Sequence, residues 1–376
     1  MTVEEAATAI LEHASNGRAV RPRGGGTKLD WSPAGEAAQD LDTRGLNRIL
    51  EHNEGDFTAI LEAGVPLVEA QAAFGAAGQM LALDPPLASA GEAGCGDEAA
   101  GRGSAGAATI GGVIATNDSG PLRHRYGGVR DLVVGMTVVL SDGTIAKSGG
   151  KVIKNVAGYD LAKLFAGSFG TLGLIARVAL RLHPSPAHSA TVTASTDDAA
   201  ALAAAAARLA ALPLEADSLD VSWRDGAGRL DVRFGGATAR ERAEAARAHV
   251  ALDTELDEDD TERWAELRER QRGEIVVKVS GRAGDLPRLI GALPAGASLV
   301  SRAALGLSWV SLPGPEHIAP LRAAMAPRAC AVLDGADRVD DPWPAVDPGA
   351  LAVMRRVKQR FDPAGAFRPG TFVGGL

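Results

Sequence analysis

Thr109-Ile110-Gly111-Gly112-Val113-Ile114-Ala115-Thr116-Asn117-Asp118-Ser119-Gly120 opens the block that decides the fold. It continues through Arg125-Tyr126-Gly127-Gly128-Val129-Arg130-Asp131 and Lys154-Asn155-Val156-Ala157-Gly158-Tyr159-Asp160-Leu161, and closes on Gly167-Ser168-Phe169-Gly170-Thr171-Leu172-Gly173. Glycine this dense between apolar segments means backbone held close to a flat, phosphorylated ligand, because a residue without Cβ lets main-chain N–H groups approach it. Upstream, Arg23-Gly24-Gly25-Gly26-Thr27 fits the same pattern. The N–H donors of Gly24, Gly25 and Gly26 are able to converge on one anion, with the Thr27 hydroxyl beside them. The competing reading of this loop taken alone is an ordinary glycine-rich turn after a strand.

Composition narrows the class. The chain has 376 residues, which suits two domains. At 46% hydrophobic it buries sizeable cores, and with only 4% aromatics it packs them with Ala, Leu and Val. A net charge of −8 with interspersed signs argues against nucleic acid as a partner. No apolar run reaches the length of a spanning helix, so no transmembrane segment is expected. Met1-Thr2-Val3-Glu4-Glu5 does not read as a secretory signal. The expected location is the cytoplasm, with any membrane contact peripheral and made through partners. Cys95 and Cys330 are too few for an iron–sulfur cluster, which takes four thiolates, and are read as free structural thiols. Electrons from a cofactor must therefore leave to oxygen, a quinone or another subunit.

Periodicity predicts a helix over 3–14, a strand over 18–22, a strand over 57–62 and a helix opening at Pro66. A strand over 132–140, a turn at Asp142-Gly143 and a return strand over 144–147 form a hairpin. A short helix at 160–166 and a strand at 172–182 follow. Pro184-Ser185-Pro186 breaks both periodicities and marks a domain boundary, giving 1–185 and 186–376. Beyond it come strands at 190–194, 219–223, 229–234 and 274–280. Helices are expected over 197–212, 238–252, 260–272 and 348–361. Mixed this way, they suggest a smaller α+β cap of the ferredoxin-like sort. Residues 88–108, nearly all small, read as a mobile loop, either a lid or an insertion without a role.

The order and spacing of the glycine segments resemble the FAD-binding domain of the p-cresol methylhydroxylase and vanillyl-alcohol oxidase type. Within that group, 150–160, Trp31 and Leu81-Ala82-Leu83-Asp84-Pro85-Pro86 are most similar to the E subunit of bacterial glycolate oxidase. The likeness is strong over about 20–184, thin through the middle of the second half, and returns at 361–370. It implies an α+β fold with the flavin domain first, a cap second, and a tail that returns to the flavin domain. It also implies FAD, held by Arg23, Gly24, Gly25, Gly26 and Thr27 and by Thr109, Ile110, Gly111, Gly112, Thr116 and Gly120. Gly173 and Ile175 lie where relatives line the cofactor with strand backbone, or else are plain sheet core. Pro85 and Pro86 wall the isoalloxazine or ribityl region, or else stiffen a loop. Thr27 stands where several relatives carry a covalently linked His, so attachment is expected to be non-covalent. In the tail, Arg368 replaces the usual Asn and Thr371 the usual Arg, which weakens any role there.

Two spellings carry no site. Gly101-Arg102-Gly103-Ser104-Ala105-Gly106 lacks the strand and helix a dinucleotide fingerprint needs. Asn117-Asp118-Ser119 spells a glycosylation acceptor in a chain with no recognisable secretory signal. Oxidation of a 2-hydroxy acid needs a base for the hydroxyl proton and a cation for the carboxylate. The His-rich, metal-associated segment of the related catalytic subunits has no counterpart here, and no metal site is expected. His183, His249 and His317 read as structural or exposed. Lys154 and Tyr159, with Arg123 and His124, are the polar candidates left near the flavin, and Lys154 reads equally as a surface cation. The expected function is an FAD-binding subunit that oxidises glycolate, a small 2-hydroxy acid, to glyoxylate. Its expected partners are a larger flavin subunit and an iron–sulfur subunit. The rivals are a stand-alone 2-hydroxy-acid dehydrogenase of the D-lactate kind and a non-catalytic scaffold that keeps the fold.

Overall fold

A computed structural model describes residues 1–33, 35, 38–87, 107–150 and 160–376. The expected loop at 88–108 falls almost wholly outside the described residues, as do Lys154, Tyr159 and Cys95.

Helix Val3–Ser15 starts at a capping box: the Thr2 hydroxyl accepts from Glu5 N, and the Glu5 carboxylate accepts from Thr2 N. Val3, Ala6, Ala7 and Ile10 lie at helical spacing and are buried. β1 (Ala19–Arg23) pairs in parallel with β2 (Ala38–Asp42). β3 (Ile49–Asn53), β4 (Thr58–Glu62), β6 (Val133–Val139), β7 (Ile145–Gly149) and β8 (Leu174–Arg181) form an antiparallel sheet in the order β3-β4-β8-β6-β7. A short pair, β5 (Gln79–Met80) and β9 (His183–Pro184), sits apart from it. The hairpin turn forms at Asp142-Gly143: Gly143 takes a φ of 78°, and Thr144 N donates to Asp142 Oδ1 at 2.9 Å. One apolar core unites this sheet with helices Leu67–Gly75 and Ile110–Thr116.

The second half is larger than the sequence suggests. β10 (Ser189–Thr196), β11 (Ser218–Arg224), β12 (Ala227–Gly235) and β13 (Thr254–Asp257) are followed by β14 (Ile275–Ser280), β15 (Ser298–Arg302), β16 (Leu307–Leu312) and β17 (Ala329–Val332). They form one eight-stranded sheet in the order β13-β10-β12-β11-β15-β16-β14-β17. With helices Ala199–Ala210, Ala239–Arg247, Leu286–Gly291 and Ile318–Met325, the chain runs β-α-β-β-α-β twice. The cap is thus two ferredoxin-like units joined edge to edge through β11 and β15. The expected small cap missed the second unit because its strands are short and interrupted by Ser.

The two sheet faces differ in chemistry. Side chains alternate across a strand, so residues directly opposite on neighbouring strands share a face. Val192, Leu219, Val221, Leu230, Val232, Val277, Val279, Leu299, Val310 and Val332 belong to the cap's apolar core with the helices. The other face carries the row Lys278, Trp309, Val300, Ser222 and Arg229. Beside it runs the row Ser280, Leu307, Arg302, Asp220, Asp231 and Thr193. Helix Thr261–Glu269 is shorter than the 260–272 expected, because Gln271 and Arg272 leave it to bond elsewhere. Among the described residues no helix is long and apolar enough to cross a membrane. Cys330 is a buried free thiol in β17, and burial raises its pKa.

After helix Pro348–Phe361 the chain comes back to the first half. Val20 N donates to Ala366 O at 2.6 Å, and Arg368 N donates to Val20 O at 3.2 Å, so the tail lies alongside β1. Lys358 holds it there: its Nζ donates to Thr171 O at 2.6 Å, to Phe367 O at 2.7 Å and to Asp362 Oδ2 at 2.7 Å. Asp362 also accepts from Ala366 N and Phe367 N, both at 2.9 Å. Lys358→Met would leave a fully buried carboxylate without its cation, at a cost of about 3 kcal/mol. The expected result is a matching fall in the urea midpoint; a change below about 0.5 kcal/mol would mean the pair contributes little.

Candidate functional site

A cleft runs between the two glycine segments. Its walls are Arg23 to Leu29 on one side, Thr109, Gly111, Gly112, Val113, Ala115 and Thr116 on another, and Phe169, Gly170, Gly173, Leu174 and Ile175 on a third. The loops touch backbone to backbone: a methyl group at Gly25 would collide with the Ala107 carbonyl, and one at Gly24 with the Thr109 side chain. Held this way, the N–H groups of Gly24, Gly25, Gly26 and Thr27 find no acceptor among the described residues. Gly24 to Thr27 are half-buried, and a row of N–H groups without an internal acceptor at a cleft wall fits an anionic ligand. Among the described residues no Asp or Glu lines the cleft, whereas Arg23, Lys28 and Arg368 do. This donor set suits the diphosphate of a dinucleotide.

The residues picked out from sequence divide into two groups. Arg23, Gly24, Gly25, Gly26, Thr27, Thr109, Gly111, Gly112, Thr116, Gly173 and Ile175 all stand on the cleft wall. Ile110, Pro85, Pro86 and Gly120 do not. Ile110 is 1% exposed, with its side chain in the sheet core and its N–H on Val65 O. Pro85 and Pro86 are buried in the segment that holds Asp84, and Gly120 is a glycine because a Cβ there would strike the Asp84 carbonyl. That segment is tied down by Leu122 N donating to Asp84 Oδ1 at 3.0 Å. Thr116 gives its hydroxyl to Gly112 O at 2.9 Å. Lys154 and Tyr159 lie outside the described residues. His124 is half-buried, its pKa lowered by burial and then by Arg125.

Arg368, discounted from sequence, is on the wall. It is 8% exposed, donates through Nη1 to Phe169 O at 3.1 Å and through Nη2 to Ser32 Oγ, and leaves Nε without a partner. Burial, with Arg21 adding to it, pushes its pKa down to about 10 against the pull of Asp40. Nothing in the one-dimensional sequence marks it, since the tail reaches the cleft only through its pairing with β1.

The polar face of the cap sheet packs over this region. Trp31 Nε1 donates to Asp334 Oδ1 at 2.6 Å, and Arg272 Nε donates to both Asp334 oxygens at 3.0 and 2.9 Å. Trp31 and Phe169 from the first half share an apolar cluster with Val276, Trp309 and Leu333 from the cap. Gln271 Nε2 donates to Ser119 O at 3.1 Å and accepts from Arg302. Arg302, fully buried, faces Asp220 across the strands at 3.1 Å. Burial raises the Asp220 pKa to about 7 despite Arg302, and that of Asp84 to about 6 despite Arg268 and Arg302. Lys28 pairs with Asp118 at 3.3 Å. Sequence reasoning missed this polar layer because each strand contributes one or two charges and no motif results. Among the described residues no group of His, Cys, Asp or Glu is placed to hold a metal ion.

Residues 1–95 and 99–149 match the family described as FAD binding domain. Glycolate oxidase subunit GlcE of Escherichia coli (strain K12) is 36% identical over 148 residues, 39% of this chain and 38% of that protein. Glycolate oxidase subunit GlcD of Bacillus subtilis (strain 168) is 36% identical over 174 residues, 46% of this chain and 33% of that protein. The matched stretch is thus well under half of either relative. A solved structure of alkyldihydroxyacetonephosphate synthase superposes with a TM-score of 0.71 at 16% identity, covering 98% of this chain and 74% of that one. Residues 1–149 thus carry the match to an FAD-binding domain, and FAD is the cofactor it supports.

Gly112 offers a clean test of the cleft, since a Cβ there meets only Thr109 Oγ1 at 3.3 Å. Gly112→Asp is expected to fold as the parent does but to weaken FAD binding by about a hundredfold, or about 2.7 kcal/mol, through repulsion of the diphosphate. Fluorescence titration of the apoprotein with FAD measures it; unchanged affinity would remove Gly112 from the ligand's path.

Proposed function

We propose that this chain is the FAD-binding subunit of a glycolate-oxidising complex, taking electrons from a small 2-hydroxy acid and passing them to partner chains. The observation that carries the reading is the row of N–H groups at Gly24–Thr27 that, among the described residues, find no acceptor and face no acid in the cleft, together with likeness to glycolate oxidase subunits. In this reading FAD, when bound, supplies the two-electron acceptor. Gly24, Gly25, Gly26, Thr27 and Gly112 hold its diphosphate, Arg368 adds a cation, and Leu174 and Ile175 line the strand side. Attachment is non-covalent in this reading, because Thr27 stands where several relatives carry the covalently linked His. Trp309 of the cap, packed with Trp31 and Phe169 of the first half, shields the site from water. The partners are a larger flavin subunit and an iron–sulfur subunit.

A second reading, a self-sufficient 2-hydroxy-acid dehydrogenase, is favoured by one observation: the cap's polar face brings Arg302, Lys278 and Asp220 to the flavin half within this single chain.

Mixing the FAD-loaded chain anaerobically with glycolate, D-lactate or D-2-hydroxyglutarate and following the flavin absorbance decides between them. Slow bleaching by glycolate alone, accelerated by about tenfold or more on adding the partner chains, is the expected result. Fast bleaching without partners favours the self-sufficient enzyme, and none by any hydroxy acid under either condition removes both. Acid precipitation should release all the flavin into the supernatant.

A further inference from the structure

Arg368 and Phe169 meet in strained conformations. The φ of Arg368 is 44° and that of Phe169 is 54°, both in the left-handed region that bulky side chains seldom occupy. Strain of this kind persists only where the surroundings impose it, and it gathers at ligand clamps. Here the surroundings are the cleft. Phe169 N donates to Ala115 O at 2.8 Å, and Phe169 O accepts from Arg368 Nη1 at 3.1 Å. Ala115, Phe169 and Arg368 all line the cleft, so three distant chain segments are joined across its wall. Arg368 nevertheless keeps its charge uncompensated. Among the described residues it has no carboxylate at ion-pair distance, and Asp40 on β2 is paired instead with Arg21 at 2.6 Å and Arg23 at 3.2 Å. Nη2 donates to Ser32 Oγ, while Nε, in a residue 8% exposed, has no partner.

The tail that carries Arg368 docks on the same wall. Thr371 Oγ1 donates to Arg368 O at 2.8 Å, and Trp343 Nε1 donates to Thr371 O at 3.2 Å. The Phe372 ring stacks on Phe169 with centroids 5.5 Å apart, and Trp343 meets both rings edge-on. Cleft wall and tail dock therefore share Phe169 and Arg368. A buried guanidinium without a counter-charge is costly, and an anion in the cleft removes that cost. We propose that Arg368 couples cofactor binding to tail docking: it binds the diphosphate of FAD from the wall it forms with Phe169, so that bound cofactor holds the tail down and the docked tail holds the cofactor. The inference rests on the reading of the cleft as the FAD site and deepens it by making the segment from Asp362 to Leu376 a cofactor-dependent clasp. Linkage makes the effect reciprocal: the factor by which FAD strengthens tail docking is the factor by which the docked tail strengthens FAD binding.

Hydrogen–deuterium exchange reads the tail directly. Exchange over 364–376 is followed in the full chain stripped of FAD and then reloaded, alongside Arg368→Met, Arg368→Asn and Arg368→Lys, with FAD affinity measured by fluorescence. Asn removes the charge yet tolerates the left-handed backbone, so Arg368→Asn serves where Arg368→Met does not fold. In the parent, FAD should slow tail exchange by about tenfold or more, an ordinary size for a coupling between sites. In Arg368→Met and Arg368→Asn, FAD affinity should fall by about tenfold or more, and saturating FAD should slow tail exchange by less than about twofold. Arg368→Lys should bind FAD more tightly than either, because it keeps the cation. A merely structural Arg368 gives another pattern: the variant tails loosen without FAD, yet FAD slows their exchange by the parent's factor. That pattern, or a parent tail that exchanges equally with and without bound FAD, would overturn the proposal. ADP, a diphosphate without a flavin, should also protect the parent's tail. Protection by riboflavin and not by ADP would move Arg368 to the flavin ring and overturn the diphosphate assignment. Failure of the cleft reading looks different: the stripped chain takes up neither FAD nor ADP, and the clasp falls with it.

Discussion

The cleft depends on one contact between two backbones. Gly25 lies against the Ala107 carbonyl and Gly24 against Thr109, with no room for a Cβ at either. That contact fixes the curvature of the Gly24–Thr27 loop, and the curvature leaves its N–H groups without partners among the described residues. Any side chain between the loops would spread them and let each find its own internal acceptors. The site is therefore made by leaving atoms out, and its energetic cost is carried by the packing behind it. Ile110 and Val113 anchor one loop in the sheet core, while β1, paired with β2, anchors the other.

This explains which parts were legible in the sequence. Glycine is the one residue whose presence announces a close approach, so the loop at Gly24–Gly26 and the segment from Thr109 to Thr116 were readable directly. The hairpin at Asp142-Gly143 and the helix from Pro348 carried their own turn and cap signals. Pro85, Pro86 and Gly120 were placed at the ligand on resemblance; none is among the residues lining the cleft, and Gly120 lies against the Asp84 carbonyl. Ile110, inside the same glycine motif, turns its side chain into the sheet core.

The unread remainder is of another kind. Arg368, Lys278 and Arg302 acquire meaning only from register. Lys278 matters because it stands opposite Trp309, and Arg302 because it stands opposite Asp220, which are facts about strand pairing between segments far apart in sequence. The second ferredoxin-like unit was obscured because Ser298-Leu299-Val300-Ser301-Arg302 and Leu307-Ser308-Trp309-Val310-Ser311-Leu312 mix polar and apolar residues on both faces. Those serines are buried or half-buried at the seam between units, and the Ser308 hydroxyl donates to Ser301 Oγ at 2.9 Å. A polar pair inside a core blurs the alternation that strand prediction relies on.

The tail's return to β1 bears on how the molecule is made. Domains generally fold as they emerge from the ribosome, first half first. Here the first half includes a wall, Arg368, that is synthesised after the whole cap. Until then β1 lacks its neighbour at Phe367, and the cofactor cleft stands open on one side. Completion of the cleft is thereby tied to late synthesis: until the tail is made, the wall that Arg368 supplies is missing.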